Sequence, residues 1–439
     1  MLISATSLSS DKLEAAARSS PAWLAELRRL AWERHNLLEF PKSSEEHWRY
    51  TDLSLLDLSQ YEIPEQSEAG LAAESLPAKA TGALELAGTG SAGRLIHVDG
   101  TSFSGSLSRQ AREAGVILTD LERAAVDHEK LLRERLGRLV GPTDVFSAFN
   151  LALHRGGTFL YVPAGVELTA PLQSLHWLTA QGALIQPRTV VVVERGAKVV
   201  FNDIYASDAV EKPTLVNPVT EVFIAEEAQV GWVTWQDWGE GVRHLARVKA
   251  TLARNAKLNT LLVTLGGDFS RTWKECLLAG EGAESIMLGL YFSHRNQHFE
   301  HWTLQDHAAA HTKSDLLYKG ALADTSRTVY YGTIKVRPQA RQTDAYQANR
   351  NLTLSPRAKA DTNPQLEIEN NDVRCTHGAT VGRVDGEHLF YLMSRGMKRE
   401  AAEKLLIYGF FNEVLERVQW SGMHDILADS ILNKLEGGK

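Results

Sequence analysis

Cys375-Thr376-His377 is the one place in the 439 residues where a thiol and an imidazole stand at alternate positions. In a strand, alternate side chains project from the same face. A soft thiolate beside an imidazole suits iron or an iron–sulfur cluster. Two ligands are too few for a stable site, so either another chain completes it or the pair is a buried cysteine beside a hydrogen-bonded histidine. The only other cysteine, Cys276 in RTWKECLLAG, sits among apolar residues and reads as a small buried hydrophobe. His294, His298, His301, His307 and His311 are irregularly spaced over different strands and loops. Hydrogen bonding in core and turns is the expectation for all five.

Composition removes several classes of function. A net charge of -7 and a pI near 6.1 leave no basic field for nucleic acid or an anionic membrane. The first twenty residues, MLISATSLSSDKLEAAARSS, carry Asp11 and Glu14 and no basic-then-apolar signal. No stretch is long and apolar enough to cross a bilayer, and a cytoplasmic protein is expected. Two cysteines cannot hold a chain of this length by disulfides. No GxxxxGK[ST] occurs, so any ATP hydrolysis belongs to another polypeptide. Gly88, Gly90 and Gly93 form a GxGxxG, but Arg94-Leu-Ile-His-Val that follows reads as a strand, not the helix a pyrophosphate needs.

The elements that position Cys375 and His377 change along the chain. Ser20-Pro21 reads as an N-cap and first helical residue, with Trp23, Leu27, Leu30 and Ala31 on one face of a helix over 21–35. The segment SSEEHWRYTDLSLL follows, its Trp48 and Tyr50 expected to pack, and 61–92 reads as a loosely ordered connection. From Phe146 to Gly382 short β-rich runs alternate with turns, and a small-residue turn recurs at Ala197, Ala228, Ala256 and Ala283. That recurrence is the sequence sign of stacked coils, most simply a right-handed parallel β-helix. After Asp385 helical periods return: Glu387–Arg395 stopping at Gly396, a second helix with Ala402, Leu405, Leu406, Phe410, Val414 and Leu415 on its apolar positions, and a short one over 425–435. The expected division is 1–92 helical part and linker, 93–145 short α/β connection, 146–382 β-helix and 383–439 C-terminal helices.

The run NRNLTLSPRAKADTNPQLEIENNDVRCTHGATVGRVDGEHLFYLMSRGM, with HTKSDLLYKGALAD and YYGTIKVRPQARQTDAYQ before it, resembles the SufB/SufD family of iron–sulfur assembly scaffolds. The likeness covers about 146–418, and WRYTDL near the N-terminus resembles the SufD type. It implies a mainly β fold with helical ends, in agreement with the pattern above. The SufB type carries extra β-helix cysteines, including the sulfur acceptor, where this chain has only Cys276 besides Cys375, so the resemblance points to the SufD type. It further implies a non-catalytic scaffold that pairs with a SufB-like paralogue through the β-helix ends. A nascent iron–sulfur cluster would form at that interface, with His377, and beside it Cys375, as this chain's contribution.

By the same resemblance a SufC-like ABC-type ATPase docks on the C-terminal helices, with Arg395, Leu405, Leu406 and Phe410 as contact candidates; otherwise those apolar residues merely close the hairpin. Reduced flavin is implied in the assembled complex, and no dinucleotide motif places it here. The isolated chain is expected to dimerise through the end that would meet the paralogue. Two other readings stand beside this one. A purely structural subunit would keep the docking helices and dispense with His377. A polysaccharide-active β-helix would need an export signal and rows of carboxylates, which the sequence lacks.

Overall fold

The computed structural model describes residues 6–64, 76–85, 90–418, 426–431 and 434. Its centre is a β-solenoid of about eight turns built from two sheets. Successive strands alternate between them. Leu172–Leu178, Lys198–Ser207, Gln229–Asp237, Lys257–Thr264, Glu284–Ser293, Lys313–Leu322, Thr343–Thr353 and Val373–Arg383 stack in one sheet. The other runs from Thr158–Val162 and Arg188–Val193 to Arg327–Val336 and Lys359–Ile368. Neighbours pair in parallel and in register, so each side chain stands on an equivalent one a coil earlier.

The corners explain the alanine recurrence. Ala197, Ala228, Ala256 and Ala283 are all fully buried, and the residue before each, Gly196, Glu227, Asn255 or Gly282, has φ between 55° and 70°. A left-handed residue turns the chain and the methyl that follows fills the bend. The series continues at His311 and Gln342, both left-handed, with Thr312 and Thr343 in the alanine's place.

Alternation sorts the apolar side chains into layers. Val191, Val193, Phe201, Trp232 and Leu316 face inward between the sheets. Val190 and Val192 face outward beneath the N-terminal helices, which explains an unbroken valine run buried on both faces. The outer face of the first sheet is covered by the helix Ala78–Glu85 and by the C-terminal helices through Ile407, Phe411, Val414, Leu427 and Ile431.

Several expectations shift. The N-terminal helix runs Ala22–Leu37 with Pro21 as its cap, while the Ser20 hydroxyl bonds back to the Ala16 carbonyl of a preceding helix, Thr6–Arg18. Leu30 is 55% exposed; Leu24, Arg28 and Trp32 take the buried face. The connection expected over 61–92 contains the helix Ala78–Glu85, and Gly88 lies outside the described residues. Residues 146–153 belong to a helix, Val145–Leu153, and not to the β run. Trp48 packs on Phe146, and Arg94 does open a strand, Gly93–Val98. Of the helix expected over 425–435, residues 426–431 and 434 are helical and the rest is outside the described residues.

Candidate metal site at the open end of the solenoid

Cys375 and His377 lie on the final strand, Val373–Arg383, in register with Ala345 and Gln347 of the strand before it. Paired residues of a parallel ladder share a face. Ala345 and Gln347 are 1% and 0% exposed and belong to the interior, so Cys375 and His377 face into the solenoid at its last rung. Cys375 rests against the inner cluster of Ile334, Val336, Ala340 and Ala345 and is half-buried, whereas His377 is exposed. At about 3.3 Å per residue their Cα atoms stand roughly 6.6 Å apart along the strand, close enough to share one cluster.

Among the described residues this end has no cap. The two terminal strands, Lys359–Ile368 and Val373–Arg383, contain no buried residue, and the helix Arg399–Leu415 packs on the solenoid's side. Ile368 and Val381 are in register with buried Val336 and Asn351, yet are 42% and 48% exposed. A row of unpaired backbone groups together with apolar side chains is a surface suited to a partner.

The donor set is soft and incomplete. Among the described residues no group of three or more His, Cys, Asp or Glu side chains could hold a metal ion. Burial, with the Asp344 carboxylate behind it, pushes the Cys375 thiol up, which disfavours the thiolate. Cys276 is 1% exposed and its thiol is pushed up to about 11 by burial, which makes it inert. The five histidines are engaged elsewhere. His294 bonds Gln297, and His301 meets Thr264 and stacks on Tyr291. His307 bridges Thr312 and Ser314, His298 faces Glu300, and His311 sits at its corner opposite Glu281.

The candidate docking residues lie on the hairpin of Gly386–Ser394 and Arg399–Leu415. Asp385 caps the first helix and Gly396, at φ 91°, ends it. Leu405 is 47% exposed and Arg395 is exposed over the Tyr391 ring, while Leu406 is half-buried. Phe410 is half-buried under Lys319, whose ammonium lies 4.8 Å from its ring and donates to its carbonyl. Phe390, Tyr391 and Met393, at 74%, 55% and 40% exposed, extend the open apolar surface. Sequence reasoning did not find the fastening of the hairpin: Lys319 and Arg350 both reach Glu413 at 2.6 Å, and Arg417 reaches Asp315 at 2.6 Å. Nor did it find Gln347, although that residue stands one coil ahead of His377.

A β-solenoid flanked by helical ends is the class of fold defined here. The SufBD core domain of the SUF iron–sulfur assembly system matches residues 176–410, and the SufBD N-terminal region matches residues 5–174. This chain belongs to the SufBD family of iron–sulfur cluster assembly proteins. It is 28% identical to the iron–sulfur cluster assembly protein SufD of Bacillus subtilis over 95% of both chains, and is of the SufD type. SufBD family proteins of Mycobacterium leprae and Mycobacterium tuberculosis are each 34% identical, over 69% and 74% of this chain and 78% and 84% of theirs. No helix among the described residues is long and apolar enough to cross a membrane.

Proposed function

We propose that this chain is a non-catalytic scaffold subunit of a cytoplasmic SUF complex. Its open solenoid end pairs with a SufB-like paralogue, and its C-terminal hairpin docks a SufC-like ABC-type ATPase. The nascent iron–sulfur cluster is cargo held between the two scaffolds, with His377 and then Cys375 as this chain's ligands. The observation that carries the reading is the placement of both donors on the inward face of the last, uncovered rung, where a second chain must supply the remaining ligands. Hydrolysis of ATP falls to the partner. Nothing among the described residues supports a flavin site, and reduced flavin is not part of the proposal.

Co-expression with a SufB-like and a SufC-like protein tests the assembly. A stable three-protein complex is expected, with ATP turnover absent from this chain alone. Purification of the chain with neither partner, or turnover that persists after removal of contaminating ATPases, would overturn it.

A further inference from the structure

Gln347 is fully buried directly beneath His377 in the ladder. Its Nε2 donates to the Gly332 carbonyl at 3.0 Å, which fixes the amide's orientation, because the opposite flip would set two carbonyl oxygens face to face. Its Oε1 is a buried acceptor without a partner among the described residues. Gly332 is required for this arrangement: a Cβ there would come within 2.2 Å of the Tyr330 hydroxyl and 2.8 Å of Gln347 Nε2. Buried acceptors are rarely left unpaired, and such an atom calls for an account.

We propose that Gln347 is the positioning residue for His377, its Oε1 accepting the N–H of whichever imidazole nitrogen does not meet the cluster. Adjacent strands lie about 4.8 Å apart, and His377 is exposed, so its ring is free to turn over the amide. The bond fixes the tautomer and presents the other nitrogen toward the mouth, as the outer partners of metal-bound histidines generally do. An amide oxygen is a weaker acceptor than a carboxylate, so it orients the ring through a neutral hydrogen bond. That suits a ligand which must release its cargo.

The inference rests on the reading of His377 as a ligand, and the test separates the two. Long-range 1H–15N spectra of the full chain with labelled histidine, the His377 signal assigned by H377A, should show mainly one neutral tautomer. Q347L should give a mixture of tautomers while the other histidine signals and the thermal melt stay unchanged. Q347M, which keeps the side-chain length and removes the acceptor, should give the same mixture of tautomers. In the partner complex Q347L should shorten cluster retention on the order of tenfold. A parent already mixed between tautomers, or a Q347L complex that retains cluster as the parent does, overturns the role of Gln347. If H377A also retains full cluster, the ligand reading falls with it; if only H377A loses cluster, that reading survives without Gln347.

Discussion

Two lumen-facing side chains on one strand, Lys274 and Cys276, show how the interior treats polar groups. Lys274 is 4% exposed and its ammonium nitrogen has no hydrogen-bond partner among the described residues. Burial pulls its pKa from 10.5 down to about 7. Below pH 7 the lysine is charged folded and unfolded, and the fold bears the full cost of burying it. Between 7 and 10.5 only the unfolded chain holds the proton, so this group makes stability rise with pH by up to ~1.4 kcal/mol per unit. Lys274→Met should therefore stabilise the protein at pH 6 on the order of 2 kcal/mol, with the gain shrinking toward pH 10. Thermal melts across that range check it, and a variant less stable than the parent at pH 6 would contradict it. Cys276→Ser would bury another hydroxyl, so Cys276→Ala is the proper control for Cys375, and should leave cluster loading unchanged.

At the scale of elements, the hairpin has two apolar surfaces, one packed on the sheet and one open. Phe411 is fully buried against the sheet, whereas Leu405 is open. Leu405→Asp should keep the melt of the parent and abolish binding of the ATPase in calorimetry; Phe411→Asp should unfold the hairpin, since an unpaired buried charge costs several kcal/mol by general estimate. Unchanged affinity of folded Leu405→Asp would remove the docking assignment. The helical period in Arg399–Leu415 was legible, and Ala402, Val414 and Leu415 are buried as it suggests. Its phase was not: Ile407 and Phe411 pack on the sheet while Leu405 stays open. A helix apolar on most of its circumference carries no periodic mark of which side meets the core. Val145–Leu153 was missed for a related reason. All nine of its residues are buried, so it has no polar face, and its signal was the capping box of Asp144 and Ser147. The coil corners were legible because the small residue recurs at each, whereas the left-handed residue before it varies among Gly, Glu and Asn.

At the largest scale, the described residues cover the solenoid on its sides and leave it open at the Cys375 end. Solenoids need their terminal coils capped or partnered, and here the apolar Ile368 and Val381 stand exposed at the mouth. The isolated chain should accordingly self-associate through that end, and Val381→Lys should shift it toward monomer about tenfold or more in sedimentation velocity, in line with like charges meeting across a symmetric contact. A dimer indifferent to Val381→Lys would place the contact elsewhere. The position of Cys375 and His377 on one strand face was legible from their spacing. That the face is inward and lies at the last rung was not, because it depends on register with Ala345 and Gln347, a property of the stacked coils rather than of the local residues.

The central claim is that His377 binds the cluster across an open interface rather than stabilising the fold. Anaerobic reconstitution of the three-protein complex with iron and sulfide, read by visible absorbance and iron content, tests it most directly. His377→Ala should assemble with both partners and melt as the parent does, since an exposed ring leaves no cavity, yet lose most of its cluster, with Cys375→Ser losing less. A His377→Ala complex that holds as much iron as the parent and still passes it to an acceptor would contradict the account and leave the chain a purely structural subunit.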